Sequence, residues 1–191
     1  MLNTTVRVLL AVTLLVAAAP GYAADASPPR VIMETSMGTI VIELDPSRAP
    51  VTTANFLRYV DAGYYDGLIF HRVIPGFMVQ AGGFDVTLTR REPGESIVNE
   101  SGNGLINVKG SIAMARTSDP NSASSQFFIN TNFNNQLDAR PGTQGYAVFG
   151  RVVDGMDTVV MPIELVATTS MKGMNDVPRE SVIIQSARRA P

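Results

Sequence analysis

"IFHRVIPGFMVQAGG" (Ile69–Gly83) sets an arginine and the chain's only histidine inside an otherwise apolar run. It contains two short apolar segments, "LIFHRVI" and "GFMVQ", that meet at Pro75-Gly76, the punctuation of a β domain. Successive side chains of a strand face opposite sides, so one of His71 and Arg72 meets the sheet interior and the other its outside. His71 reads most simply as a packed, hydrogen-bonded core histidine. Arg72 stands among Phe70, Ile74, Phe77 and Met78, with Gln80 as the next polar side chain. A guanidinium among apolar rings is costly unless paired. Arg72 is therefore either half of a structural ion pair or a donor facing a ligand, and spacing alone does not choose.

Working outward, "VIMETSMGTIVIELD" gives two strands separated by Ser36-Met37-Gly38. In the second, Ile40, Ile42 and Leu44 alternate with Val41 and Glu43, so both faces are expected to be largely buried, as in a small barrel with something packed outside. "APVTTANFLRYVDAG" changes period: Phe56, Leu57 and Val60 share a helical stripe, Pro50 opens the helix and Gly63 ends it. The runs "GSIAMAR", "SQFFINT", "YAVFGRVV" and "SVIIQSA" read as further strands, and "DGMDTVVMPI" as a second, short helix. Between them the Asn-rich "NTNFNNQLDARPGTQG" reads as a long functional loop. Phe70, Ile112, Phe127 and Phe149 are assigned to the core.

The 191 residues carry a formal net charge of −2, no cysteine and one histidine. Near-neutrality gives no argument for nucleic acid or an anionic membrane surface. Thiol catalysis and disulfides are excluded, and a His-based metal site is unsupported. A Ser-His-acid triad has no marked spacing, and no Lys-Ser/Thr follows the glycines to make a phosphate loop. At the N-terminus, Arg7 precedes the uncharged "VLLAVTLLVAAA" (Val8–Ala19), then Pro20-Gly21 and small residues. That layout predicts a signal peptide over residues 1–23, cleaved after Ala23 or else Ala26, because about 12 apolar residues fall short of the roughly 20 that span a bilayer. Residues 24–29 then form a linker and 30–191 the folded domain. The expected mature protein is soluble and periplasmic, with no membrane association after cleavage.

"FHRVIPGFMVQAGG", "GSIAMART", "SSQFFIN" and "GYAVFGRV" resemble, in order, motifs of the cyclophilins, peptidyl-prolyl cis–trans isomerases. The resemblance covers about Arg30 to Ala187 and looks most like the bacterial periplasmic branch. It implies a mainly β fold, an eight-stranded antiparallel closed barrel capped by two helices. It also implies an X-Pro peptide substrate, no metal and no organic cofactor. Partners would be proline-containing peptides and unfolded exported proteins, met by a monomer. Arg72 matches the catalytic position. Phe77, Met78, Phe128 and Leu137 match the apolar residues that hold the proline ring. Gln80 and Gln126 match polar positions that fix the substrate backbone and Arg72, and Ala115 and Arg116 match a strand edge that pairs with the peptide.

Three departures accompany the match. Arg116 stands where the family often has asparagine, which bears on sequence preference. Tyr146 replaces a common histidine but keeps an apolar ring and a hydroxyl. Gln136 falls where cyclosporin-binding eukaryotic members carry tryptophan, so cyclosporin is expected to bind weakly at most. The rival reading is a peptide-binding chaperone or docking module with little turnover; the intact Arg72, Phe77, Gln80 and Phe128 argue against it.

Overall fold

The computed structural model describes residues 27–191, so the expected signal peptide and the start of the linker lie outside the described residues. Among the described residues ten strands are present: β1 (Arg30–Thr35), β2 (Gly38–Leu44), β3 (Arg72–Ile74), β4 (Met78–Ala81), β5 (Ser111–Met114), β6 (Phe127–Asn130), β7 (Val148–Asp154), β8 (Thr168–Met171), β9 (Met174–Pro178) and β10 (Ile184–Arg189). Eight form one antiparallel sheet in the order β10-β1-β2-β7-β5-β6-β4-β3, and β8 and β9 pair separately as a hairpin.

The sheet is a half-barrel. Among the described residues no ladder joins its edge strands β3 and β10, and the isolated bridge Ile69–Ile183 spans that side. Full closure was expected. Closure is confined to that bridge, which Phe70 N–H makes to the Val182 carbonyl and Ile184 N–H to that of Leu68; Ile69 N–H already donates to Phe84, and from Arg72 on the strand pairs with β4. The run "LIFHRVI" therefore contributes only three residues to a strand.

Helix α1 (Pro50–Asp61) opens with proline at its first turn, where the missing N–H costs nothing. Two orphan N–H groups at that end, of Val51 and Thr52, donate to the Glu100 carboxylate at 3.1 and 2.8 Å. The predicted stripe of Phe56, Leu57 and Val60 is buried, and Phe56 meets Phe127 edge-on and Phe149 at a tilt, with centroids 5.5 and 5.2 Å apart. The second predicted helix is a π turn (Met156–Val160) running into α2 (Met161–Glu164), and its Val159, Val160 and Ile163 join the same core.

Phe70, Ile112, Phe127 and Phe149 are all fully buried in that core, as expected. On β2, Ile40, Ile42 and Leu44 are buried, while Val41 and Glu43 on the other face are only partly covered, the Glu43 side chain being 14% exposed. Glu43 is held outside by Arg30 and Arg151 at 2.7 and 2.8 Å. The β8–β9 hairpin was not foreseen. Its strands "TTSM" and "MNDVP" show no apolar alternation, and its turn has positive φ at both Lys172 and Gly173, the type I′ pattern, without the usual Asn-Gly or Asp-Gly.

Candidate active site

Alternation along β4, β6, β5 and β7 splits their side chains between two apolar clusters. Val79, Ala81, Phe127, Ile129, Ile112, Met114 and Phe149 point into the core. Met78, Phe128, Ala113 and Val148 form a second cluster on the other face, joined by Phe77, Leu105, Ala115, Leu137 and Tyr146. The register aligns one row across five strands of this outer face: Arg72 opposite Gln80, Gln80 opposite Phe128, Phe128 opposite Ala113, and Ala113 opposite Val148. Arg72, Phe77, Met78, Gln80, Ala115, Arg116, Phe128, Leu137 and Tyr146 together line a pocket of about 260 Å³. A larger open groove of about 1020 Å³, bounded by Pro28, Pro29, Leu44, Leu105 and Ile106, gathers none of these residues.

The pocket wall at Phe77 is built by a tight turn. Phe77 N–H donates to the Ile74 carbonyl at 3.1 Å, with Pro75 and Gly76 between them. Gly76 has φ 71°, the left-handed conformation that a type II turn requires at this place. The buried Glu164 carboxylate of α2 accepts the Gly76 N–H at 2.6 Å. From the Phe77 carbonyl a chain of buried amides crosses to the opposite wall. Asn134 donates to that carbonyl and to Asn130, both at 2.7 Å. Asn130 donates to Asn107 at 3.1 Å, and Asn107 to Asp138 at 2.8 Å, beside Leu137. The "NTNFNN" asparagines thus fix two sides of the pocket relative to each other. Sequence reading marked the loop as functional but did not pair these side chains, because the partners are up to 57 residues apart.

Gln126 is the one candidate that does not line the pocket. It accepts a hydrogen bond from Gln80 at 2.9 Å and so braces the pocket's polar edge from behind. Its amide lies where a Cβ on Gly83 would stand, 2.6 Å away, which explains the second glycine of "QAGG". Among the described residues neither glutamine hydrogen-bonds Arg72, as the resemblance had implied.

Arg116 spends its guanidinium on the protein. It donates to the carbonyls of Gly145, Thr117 and Gln144 at 3.1, 2.8 and 2.7 Å, and stacks 4.5 Å over the Tyr146 ring. Tyr146 in turn meets Phe128 edge-on at 5.7 Å. Arg116 is a brace for the aromatic wall more than a free charge. Ala115 N–H is donated to the Gln126 carbonyl at 3.0 Å, so that donor is already used within the fold.

Strand alternation resolves the adjacent pair. His71 is buried and Arg72 faces the pocket, its side chain 41% exposed and not enclosed among apolar rings. The His71 ring lies 4.8 Å from that of Phe84. Its Nδ1 has no partner among the described residues, while the ring interacts with the Ile69 backbone and the Gln126 side chain. Burial pulls the imidazole pKa down to about 4; the nearby Ile69 carbonyl and Gln126 oppose that shift, and the Arg72 charge adds to it. His71 is therefore neutral at physiological pH and too deep to act on a substrate. Among the described residues no cluster of His, Cys, Asp or Glu is arranged to hold a metal, and no helix is long and apolar enough to cross a membrane.

A half-barrel thus carries, on the outside of its sheet, an apolar pocket lined by two arginines, Arg116 tied to backbone carbonyls and Arg72 without a hydrogen bond among the described residues. Residues 30–189 match the family of cyclophilin-type peptidyl-prolyl cis–trans isomerases. The chain belongs to that family and is an enzyme of its class. It is 46% identical over 185 residues to peptidyl-prolyl cis-trans isomerase A of Dickeya dadantii, covering 95% of this chain and 96% of that one. It is 48% identical over 159 residues to isomerase B of Escherichia coli, covering 82% of this chain and 96% of the relative. Among solved structures, a Cryptosporidium parvum cyclophilin-type isomerase crystallised in the presence of the dipeptide Ala-Pro superposes with a TM-score of 0.71 at 28% identity, over 85% of this chain and 99% of that one.

Proposed function

We propose that the outer-face pocket is where this isomerase turns the X-Pro bond, that Arg72 is its catalytic residue, and that its clients are unfolded proteins exported to the periplasm. The observation that carries the site assignment is the single row Arg72–Gln80–Phe128, which sets a permanent cation beside an apolar floor.

The chemistry needs no covalent step. Amide resonance raises a rotation barrier of roughly 20 kcal/mol by delocalising the nitrogen lone pair into the carbonyl. Phe77, Met78, Phe128 and Leu137 hold the proline ring, and a guanidinium N–H aimed at the prolyl nitrogen stabilises the twisted form in which that lone pair is localised. A rate gain of about 10⁵ requires roughly 7 kcal/mol. One charge-assisted hydrogen bond contributes only about 1.5–3 kcal/mol. The rest comes from excluding water and from gripping the chain on both sides of the bond. The buried Asn107–Asn130–Asn134 chain supports that grip by fixing the two walls.

Export rests on the N-terminal sequence alone, with processing after Ala23 or Ala26. N-terminal sequencing of exported material checks it: Ala24 or Ser27 is expected, and a retained Met1 with membrane association would defeat it. A protease-coupled or NMR exchange assay on an X-Pro peptide tests the site reading, with catalytic turnover expected. Binding without acceleration would favour a docking module instead.

A further inference from the structure

We propose that Asp176, on the unforeseen β8–β9 hairpin, is a positioning residue for Arg72; this rests on Arg72 being the catalytic residue. β9 lies against β3. In the hairpin, Met171 pairs with Met174 and Thr169 with Val177, so Ser170 alone faces both Asn175 and Asp176. That is a β-bulge, a feature that bends a strand and re-aims a side chain. Ser170 Oγ donates to Asn175 Oδ1 at 2.8 Å and occupies that residue. Asp176 takes φ 60°, a left-handed conformation uncommon for residues other than glycine, though aspartate tolerates it best among charged ones. Its carboxylate then lies 3.9 Å from Arg72 Nε.

Two half-exposed charges at that distance do little for fold stability. A strained backbone that contributes little to stability is expected where a site needs it. The contact falls on the Nε side of the guanidinium, at the stem of the fork, and leaves both terminal nitrogens for a peptide. Among the described residues Arg72 makes no hydrogen bond, and Asp176 is its only ion-pair partner. The carboxylate therefore restrains how the fork swings without competing for its outer N–H groups.

Turnover of an uncharged X-Pro peptide by Asp176→Asn and Asp176→Gly tests this. Both replacements accept the left-handed backbone, so the hairpin survives and the thermal midpoint stays put. Each should lower kcat/KM about twofold to fivefold, the scale of an exposed ion pair. Added salt should bring the wild type down toward the variants, whose own rates stay flat, because it screens the pair they lack. In an Arg72→Ala background the Asp176 replacements should change nothing further. Unchanged or faster turnover in Asp176→Asn and Asp176→Gly overturns the proposal, the faster result meaning that the carboxylate competes with the peptide. Full turnover by Arg72→Ala alone instead removes the catalytic reading beneath it.

Discussion

Phe127 and Phe128 are neighbours in β6, identical in chemistry and nearly identical in burial, yet they belong to different parts of the molecule. Phe127 enters the interior among Phe56, Tyr65 and Ile129. Phe128 faces outward, where Met78, Ala113 and Val148 make a shallow second core that stops at half-exposed Phe77, Leu137 and Tyr146. The interior cluster is closed by helices and holds the fold together. The outer one stops at partly covered rings, and on the proposed reading it is where a proline ring docks. Burial by itself does not separate structure from function here; which face a residue takes, set by a period of two, does.

Truncating each phenylalanine is the strongest way to break this comparison. Phe127→Ala should cost about 3–5 kcal/mol of stability, since a ring leaves a cavity in a packed interior. Chemical denaturation measures it, and the surviving folded enzyme should keep its turnover. Phe128→Ala should lose less stability but at least about tenfold in kcat/KM, equivalent to 1.4 kcal/mol of lost contact with the proline. Equal stability losses with equal activities would mean that the two faces do not divide the labour.

His71 and Arg72 extend the contrast to polar residues. The imidazole pKa falls from 6.5 to about 4 on burial, so the unfolded chain binds a proton that the folded one does not. The stabilisation from a neutral His71 is complete above pH 6.5 and is lost as pH falls toward 4, about 3 kcal/mol in total. Denaturation midpoints measured from pH 7.5 to 4.5 should decline, while a folded His71→Asn variant should show a shallower decline. The same histidine should leave no inflection in kcat/KM above pH 6; one near 6.5 would place it at the substrate.

The smallest effect concerns the rim. Gln136 is exposed on a short 3₁₀ turn next to Leu137, with its amide 3.4 Å from Asn134 Oδ1. Glutamine covers less apolar surface than an indole and loses entropy on ordering. Cyclosporin should bind at least about tenfold more weakly than to a tryptophan-bearing relative, and Gln136→Trp should recover part of that difference with little change in peptide turnover. Calorimetric titration decides it; tight binding by the wild type would mean that the outer cluster extends further than its lining residues.

Much of this was legible where periodicity was strong and partners were near. β1, β2 and α1 announce themselves through Ile40, Ile42, Leu44 and Phe56, and Gly38 and Pro50 mark their ends. The pocket residues could be named because their motifs resemble a family, since spacing alone left Arg72 open between ion pair and donor. Three things were not legible. The amide chain from Phe77 to Asp138 needs the fold to bring its members together. The β8–β9 hairpin hides in polar sequence, and its bulge at Asp176 is a backbone event with no compositional sign. The ladder's failure to close between β3 and β10 depends on how Leu68–Phe70 divides its hydrogen bonds, which strand propensity does not encode.

On the proposed mechanism a fixed guanidinium on the outer face, that of Arg72, lowers the barrier to X-Pro rotation. Isomerisation of one X-Pro peptide by wild type, Arg72→Ala and Arg72→Lys tests it most directly, with thermal midpoints recorded beside the rates. Arg72→Ala should lose at least about 10²-fold in kcat/KM, the scale for removing a preorganised donor, with little change in stability, because the side chain is 41% exposed and its ion pair is loose. Arg72→Lys should remain well below wild type, since lysine keeps the charge and loses the planar fork. Full turnover by Arg72→Lys would contradict the account, because charge alone would then suffice.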